Sequence, residues 1–202
     1  MKLETLLKRV RACRLCESHL PLGANPILRA GATARLLIVG QAPGTKVHAT
    51  GIPWNDASGN RLRDWLGMDR ETFYDEMVVA IVPMGFCYPG RGKGGDLPPR
   101  PECAPTWHPK ILPLLPDVRL VLLIGSYAQA AFLGDARRET LTDTVRAAKD
   151  YLPRYVPLPH PSPRNQMWLR RNPWFDETIV PLLRRQVAKA LVDGSAQKEK
   201  RR

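Results

Sequence analysis

Four short apolar runs stand out in an otherwise mixed chain: Leu36–Val39, Met77–Val82, Leu120–Ile124 and Tyr155–Leu158. They are continuous rather than alternating, the pattern of strands buried on both faces. Around them the apolar positions take helical spacing. Leu3–Arg11 is amphipathic, Arg61–Leu66 follows a segment of small residues, and Tyr127–Leu133 is rich in alanine. Phe175–Val192 is the longest helical stretch, with Pro181 set either to kink it or to mark its start. Strands alternating with helices predict an α/β fold: a three-layer α/β/α sandwich around a central four-stranded, mostly parallel sheet. No repeat or dividing linker is present, so residues 1–192 read as one domain and 193–202 as a basic, disordered tail.

Glycine and proline punctuate this pattern unevenly. They gather in Gly40–Pro53, Pro83–Pro109 and Pro153–Pro173, each associated with the carboxyl end of a predicted strand. Open α/β sheets place their ligand crevice on that edge, so the three segments are expected to converge on one site. The middle one is long and rich in glycine, and long structureless loops in compact domains usually carry function.

Composition narrows the class. With 44% hydrophobic and 25% charged residues over 202 positions, disorder of the whole chain is excluded. The longest apolar run, Leu120–Gly125, is far short of the roughly 20 residues that cross a membrane. The N-terminal segment is interrupted by Glu4, Lys8 and Arg9 and does not read as a secretory signal, so a cytoplasmic, monomeric protein is expected. Lys and Arg outnumber Asp and Glu by 31 to 19, a net charge of +12. Such an excess fits a polyanionic partner, and equally a solvated arginine-rich surface.

Four cysteines remain. Two residues separate Cys13 from Cys16 and fifteen separate Cys87 from Cys103. In a reducing compartment they read as metal ligands or free thiols rather than disulfides. Four thiolates complete a tetrahedral zinc site or ligate a [4Fe–4S] cluster, and spacing alone does not separate the two.

Two motifs mark the loop edge. Gly40-Gln41-Ala42-Pro43-Gly44 follows the first strand, and His160-Pro161-Ser162-Pro163-Arg164-Asn165 follows the last. The first lacks the Lys-Ser/Thr of a phosphate-binding loop. A histidine beside prolines serves structure as readily as catalysis. Together, in this order, the two motifs resemble those of the uracil-DNA glycosylase superfamily, whose members open with a GQDPY, GEAPG or GLAPA turn and close with HPS. The likeness is closest to the iron–sulfur families 4 and 5. The family 4 run GEAPG…GRPF matches Gly40–Gly44 and Gly51-Ile52-Pro53-Trp54 without gaps, and Val121–Ala128 resembles the third strand and its helix.

That resemblance implies roles. His160 would donate to the pyrimidine O2 of a base flipped out of DNA, and Trp54 would stack on it. Gln41 would line the pocket beside the sugar, with the backbone near Ala42 facing the base. The four cysteines would hold a structural [4Fe–4S] cluster, with zinc as the alternative. Ser162, Arg164, Asn165, Arg170 and Arg171 would contact DNA containing damaged bases, and Arg164, Gln166 and Met167 would supply a wedge into the groove. The implied activity is monofunctional base-excision repair of uracil or a related deaminated base. The alternative is a non-catalytic binder of damaged or single-stranded DNA.

The sequence also departs from the family. Ala42 stands where family 1 has an aspartate, and Thr45-Lys46-Val47-His48 replaces the acidic residues of family 4. Asp56, in a D-x-S-G segment resembling family 5, and His48 are the substitutes for water activation, while Asp56 is also placed to cap a helix. No asparagine follows the second strand. Asn55, Asn60, Asn165 or a backbone group near Gly85 are the candidates to read the base edge.

Overall fold

The computed structural model describes residues 1–192; the basic tail expected over 193–202 lies outside them. Strands β1 (Leu36–Val39), β2 (Val79–Ile81), β5 (Leu120–Ile124) and β6 (Tyr155–Leu158) form one sheet in the order β2-β1-β5-β6. All three pairings are parallel, with Ile38 opposite both Ile81 and Leu122. A single antiparallel bridge, Arg29 to Ile81, extends the β2 edge.

Side chains alternate across the pleat, so each strand feeds two cores. Leu36, Ile38, Leu120, Leu122 and Ile124 face one layer, where they meet Leu62 of α3 (Ala57–Leu66) and Leu183 and Val187 of α9 (Val180–Leu191). Leu37, Val39, Val121 and Leu123 face the other, against Leu6 and Val10 of α1 (Leu3–Arg11), Ile111 of α5 (Cys103–Ile111) and Ala128 of α6 (Ser126–Leu133). Burial on both sides explains why the strands read as unbroken apolar runs. The three-layer α/β/α expectation is met.

Several boundaries differ from the sequence reading. The second strand starts at Val79, not Met77, because the Asp75 carboxylate accepts the Met77 N–H and turns the chain there; Met77 is 54% exposed. Helix α3 begins four residues before Arg61, where the Asp56 side chain accepts the Gly59 N–H at 2.9 Å and caps it. The final helix is entered directly from a π-helical turn, Phe175–Ile179, with helical backbone on both sides, and Pro181, which has no N–H, stands just after that turn. Short helices α2 (Thr45–Thr50), α4 (Arg70–Tyr74), α7 (Leu141–Arg146) and α8 (Gln166–Arg171) complete the chain.

The middle glycine-rich segment is not structureless. It folds into a hairpin of β3 (Arg91–Gly92) and β4 (Gly95–Asp96) and then into α5. Among the described residues no helix is long and apolar enough to cross a membrane.

Candidate active site

Because the four strands are parallel, the segments after β1, β2 and β6 leave the sheet on the same edge. They enclose a cavity of about 340 Å³ lined by the Gly40–Val47 turn, Pro53, Trp54, Asp56–Ser58, Pro83, Asp96, His160 and Ser162–Arg164. That is a volume suited to a small organic group.

Trp54 forms one wall under constraint. Its φ of 58° is the one positive value at a non-glycine among the described residues, a conformation disfavoured for a bulky side chain. The surroundings hold it there. Arg63, almost fully buried, donates to the Trp54 carbonyl at 3.4 Å, while the Tyr74 hydroxyl donates to the Pro53 carbonyl at 2.9 Å. A side chain on Gly59 would begin 1.7 Å from the Trp54 oxygen, and one on Gly40 would begin 2.8 Å from the indole Cζ2. Both glycines are therefore required for the indole to lie where it does. Its ring faces His160 at 5.6 Å between centroids, tilted by 35°.

His160 stands just beyond β6 and is fixed from several sides. The Asn165 side chain donates to its carbonyl at 2.7 Å, and Arg61 donates to the carbonyls of Pro161 and Ser162. Buried Gln129 donates to Leu158, the last residue of the strand. The Ser162 N–H donates to His160 Nδ1 at 3.2 Å. Burial lowers the imidazole pKa from its ordinary value, against the opposing pull of Asp56 and Asp96. The ring is thus neutral near pH 7, and since Nδ1 is an acceptor, its proton sits on Nε2. The site presents a neutral N–H donor.

The remaining predicted residues divide. Gln41, Ala42, Asp56, Ser162 and Arg164 line the cavity with Trp54 and His160. Gln41 donates its Nε2 to the Leu97 carbonyl at 3.0 Å, and its own carbonyl accepts from the Gly85 N–H. Gly85 itself lies behind the turn, packed on Pro99 and Ala42, and does not reach the cavity. His48 is also outside it. One step round α2 from the buried Val47, its ring turns towards Tyr88 at 6.3 Å. Asn55 is bonded to Arg70, Asn60 to Arg63 and Asn165 to His160, so none of the three presents an amide to the cavity. Arg170 and Arg171 end α8 and do not line the cavity.

The family model of the uracil DNA glycosylase superfamily matches residues 29–184. The chain belongs to this superfamily. The matched stretch contains every residue that lines the cavity except Ile27. Members of the uracil DNA glycosylase superfamily are hydrolases that act on DNA, and the neutral donor, aromatic wall and carboxylates fit the departure of a nucleobase.

Relative to its superfamily motifs, the sequence reading missed four contributors. Asp96 brings a second carboxylate to the cavity, Lys46 reaches its rim, and Arg61 and Arg63 brace the two aromatic-bearing loops. Asp96 had one weak sign, its place at the end of a glycine-rich turn. The arginines had none, since only tertiary contact distinguishes them from the other surface cations.

A second, smaller cavity collects all four cysteines, with Leu15, Leu20, Phe86, Arg100 and Trp107 among its walls. No disulfide joins them. Burial pushes the Cys103 thiol up to about 12 and raises Cys87, and burial and then Glu102 raise Cys16. The Phe86 N–H points at Cys103 Sγ at 3.4 Å. Four soft donors around one apolar cavity, with a backbone N–H on one sulfur, fit a multinuclear cluster whose positive charge offsets the buried thiolates. The same four thiolates are equally the donor set of a structural zinc site.

Proposed function

We propose that the protein is a monofunctional DNA glycosylase of base-excision repair that hydrolyses the N-glycosidic bond of uracil or a related deaminated base, akin to the iron–sulfur families 4 and 5. The observation that carries this reading is His160 held neutral with its proton on Nε2, facing a cavity walled by Trp54. When the bond to the sugar breaks, negative charge develops on the departing pyrimidine. A fixed donor aimed at that charge is typically worth about 10²–10³ in rate. Stacking on Trp54 contributes roughly 1–3 kcal/mol to holding the extruded base.

On the sugar side, Asp56 contributes a fixed negative charge. Its Oδ1 accepts the Gly59 N–H, which holds the carboxylate at the cavity wall while the sugar turns cationic. Ser162, Arg164 and Asn165 lie on the loop that would meet the strand. Met167, 55% exposed, supplies an apolar tip there, and Arg170 and Arg171 would follow the phosphates. The +12 charge suits this partner. Cys13, Cys16, Cys87 and Cys103 would hold a [4Fe–4S] cluster, which would join the N-terminal segment to the loop after β2 and take no part in the chemistry.

The test uses anaerobically purified protein on single- and double-stranded oligonucleotides carrying uracil, hypoxanthine, xanthine or an abasic site. Alkali-labile cleavage at a deaminated base is expected. Binding without release of any base would replace this reading with that of a damage-binding protein. Lys46 at the rim makes a further check necessary, because a borohydride-trapped adduct would overturn the monofunctional assignment.

A further inference from the structure

The hairpin after β2 carries a carboxylate to the cavity from a part of the chain outside both loop-edge motifs. We propose that Asp96 is a catalytic residue, the acceptor for the proton of the water that attacks the sugar; this rests on the glycosylase reading above. Asp96 ends β4, paired across the hairpin with Arg91. It lines the cavity that holds His160, and its Oδ2 lies 3.4 Å from where a side chain on Gly44 would begin, so the carboxylate overhangs the turn after β1.

The two cavity carboxylates differ in what they already hold. Asp56 has one oxygen engaged by the Gly59 N–H. Neither oxygen of Asp96 has a protein hydrogen-bond partner among the described residues, and the side chain is exposed to solvent at the mouth. An unengaged carboxylate with access to water is the better placed of the two to receive a proton. The hairpin is also latched. Gln41 Nε2 donates to the Leu97 carbonyl at 3.0 Å, and the Leu97 N–H donates to Gly90 at 2.8 Å. Gln41 is therefore a positioning residue, one that sets where Asp96 stands.

The step balances as a hydrolysis. The water oxygen bonds to the sugar C1′, and one water proton passes to the Asp96 carboxylate. The C1′–N bond breaks with its electron pair going to the base, where His160 Nε2–H meets the charge on O2. The proton held by Asp96 then returns through solvent to the base anion.

Single-turnover excision from a uracil oligonucleotide tests this with Asp96→Asn, Asp96→Glu, Gln41→Ala, the Asp96→Asn/Gln41→Ala double variant and Asp56→Asn. Asp96→Asn is expected to lower the maximal rate by about 10²–10⁴ while the half-saturating DNA concentration stays unchanged. Asp96→Glu should recover part of the rate. Gln41→Ala should slow the reaction less, and the double variant should be no slower than Asp96→Asn, because both act through one group. Asp96→Asn at the rate of the parent protein would overturn the assignment and leave the glycosylase reading standing. Equal loss of rate and DNA binding would make Asp96 a contact residue and would also overturn it. A parent protein that releases no base would overturn the glycosylase reading, and this role with it.

Discussion

Gly40→Ala should cripple base excision without unfolding the protein. The added Cβ would lie 2.8 Å from Trp54 Cζ2, whereas ordinary carbon contacts fall at about 3.5–4.0 Å. The indole must therefore retreat by roughly 0.7–1.2 Å. The ring itself must move, because the backbone is held. Its backbone is pinned by Arg63, by Tyr74 through Pro53, and by the bare Gly59 beneath it. Any such shift alters the 5.6 Å spacing of the ring from His160 and the shape of the cavity both line. A misplacement near 1 Å can cost about 10²-fold in rate, and that is the loss expected in single-turnover excision. Stability should change little, since Gly40 has no positive φ to relieve and alanine restricts the unfolded chain, an effect of about 0.4–1 kcal/mol in favour of folding. The decisive control is a Trp54→Ala background. There the clash is gone, and Gly40→Ala should add no further loss. An undiminished rate in the single variant, or a further 10²-fold drop in the double, would refute the claim that Gly40 acts through the indole.

Three further outcomes follow. His108 and His160 both have pKa values lowered by burial, so the unfolded chain binds more protons than the folded one as pH falls below the ordinary histidine value of 6.5. Stability should accordingly be full above that range and fall on acidification, by up to about 1.4 kcal/mol per pH unit for each histidine, as denaturant melts across pH 5–8 would show. Asp56→Ala should lose about 1 kcal/mol through the missing helix cap, which Asp56→Asn should largely keep, and melting temperatures of the two separate capping from chemistry. Cys103→Ser should abolish absorbance near 400 nm and iron and sulfide content in anaerobically purified protein; an unchanged metal load would show that these thiols do not hold the cluster.

The sheet was legible because burial on both faces writes itself into unbroken apolar runs, and the loop edge because parallel strands leave it on one side. His160, Trp54, Gln41, Ala42 and Asp56, singled out by the resemblance to the superfamily motifs, do lie at the cavity on that edge. Other positions depended on facts that sequence does not carry. His48 belongs to a helix of six residues, too short to show a face by periodicity, and one step from Val47 turns it away. The hairpin strands are two residues each and built on glycine, so no alternation announces them, and Asp96 went unread with them. The asparagines were plausible base readers by type. Asn55 is engaged by Arg70 fifteen residues on, Asn60 by Arg63 one helical turn on, and Asn165 engages the His160 carbonyl five residues back, pairings that only the folded chain creates.

The central claim is that a neutral His160 stabilises a departing base. Single-turnover release of uracil, measured beside DNA affinity in the parent protein and in His160→Ala, tests it most directly. The account predicts a fall of about 10²–10³ in rate with affinity for uracil-containing DNA essentially unchanged. Equal rates in the two proteins would contradict it.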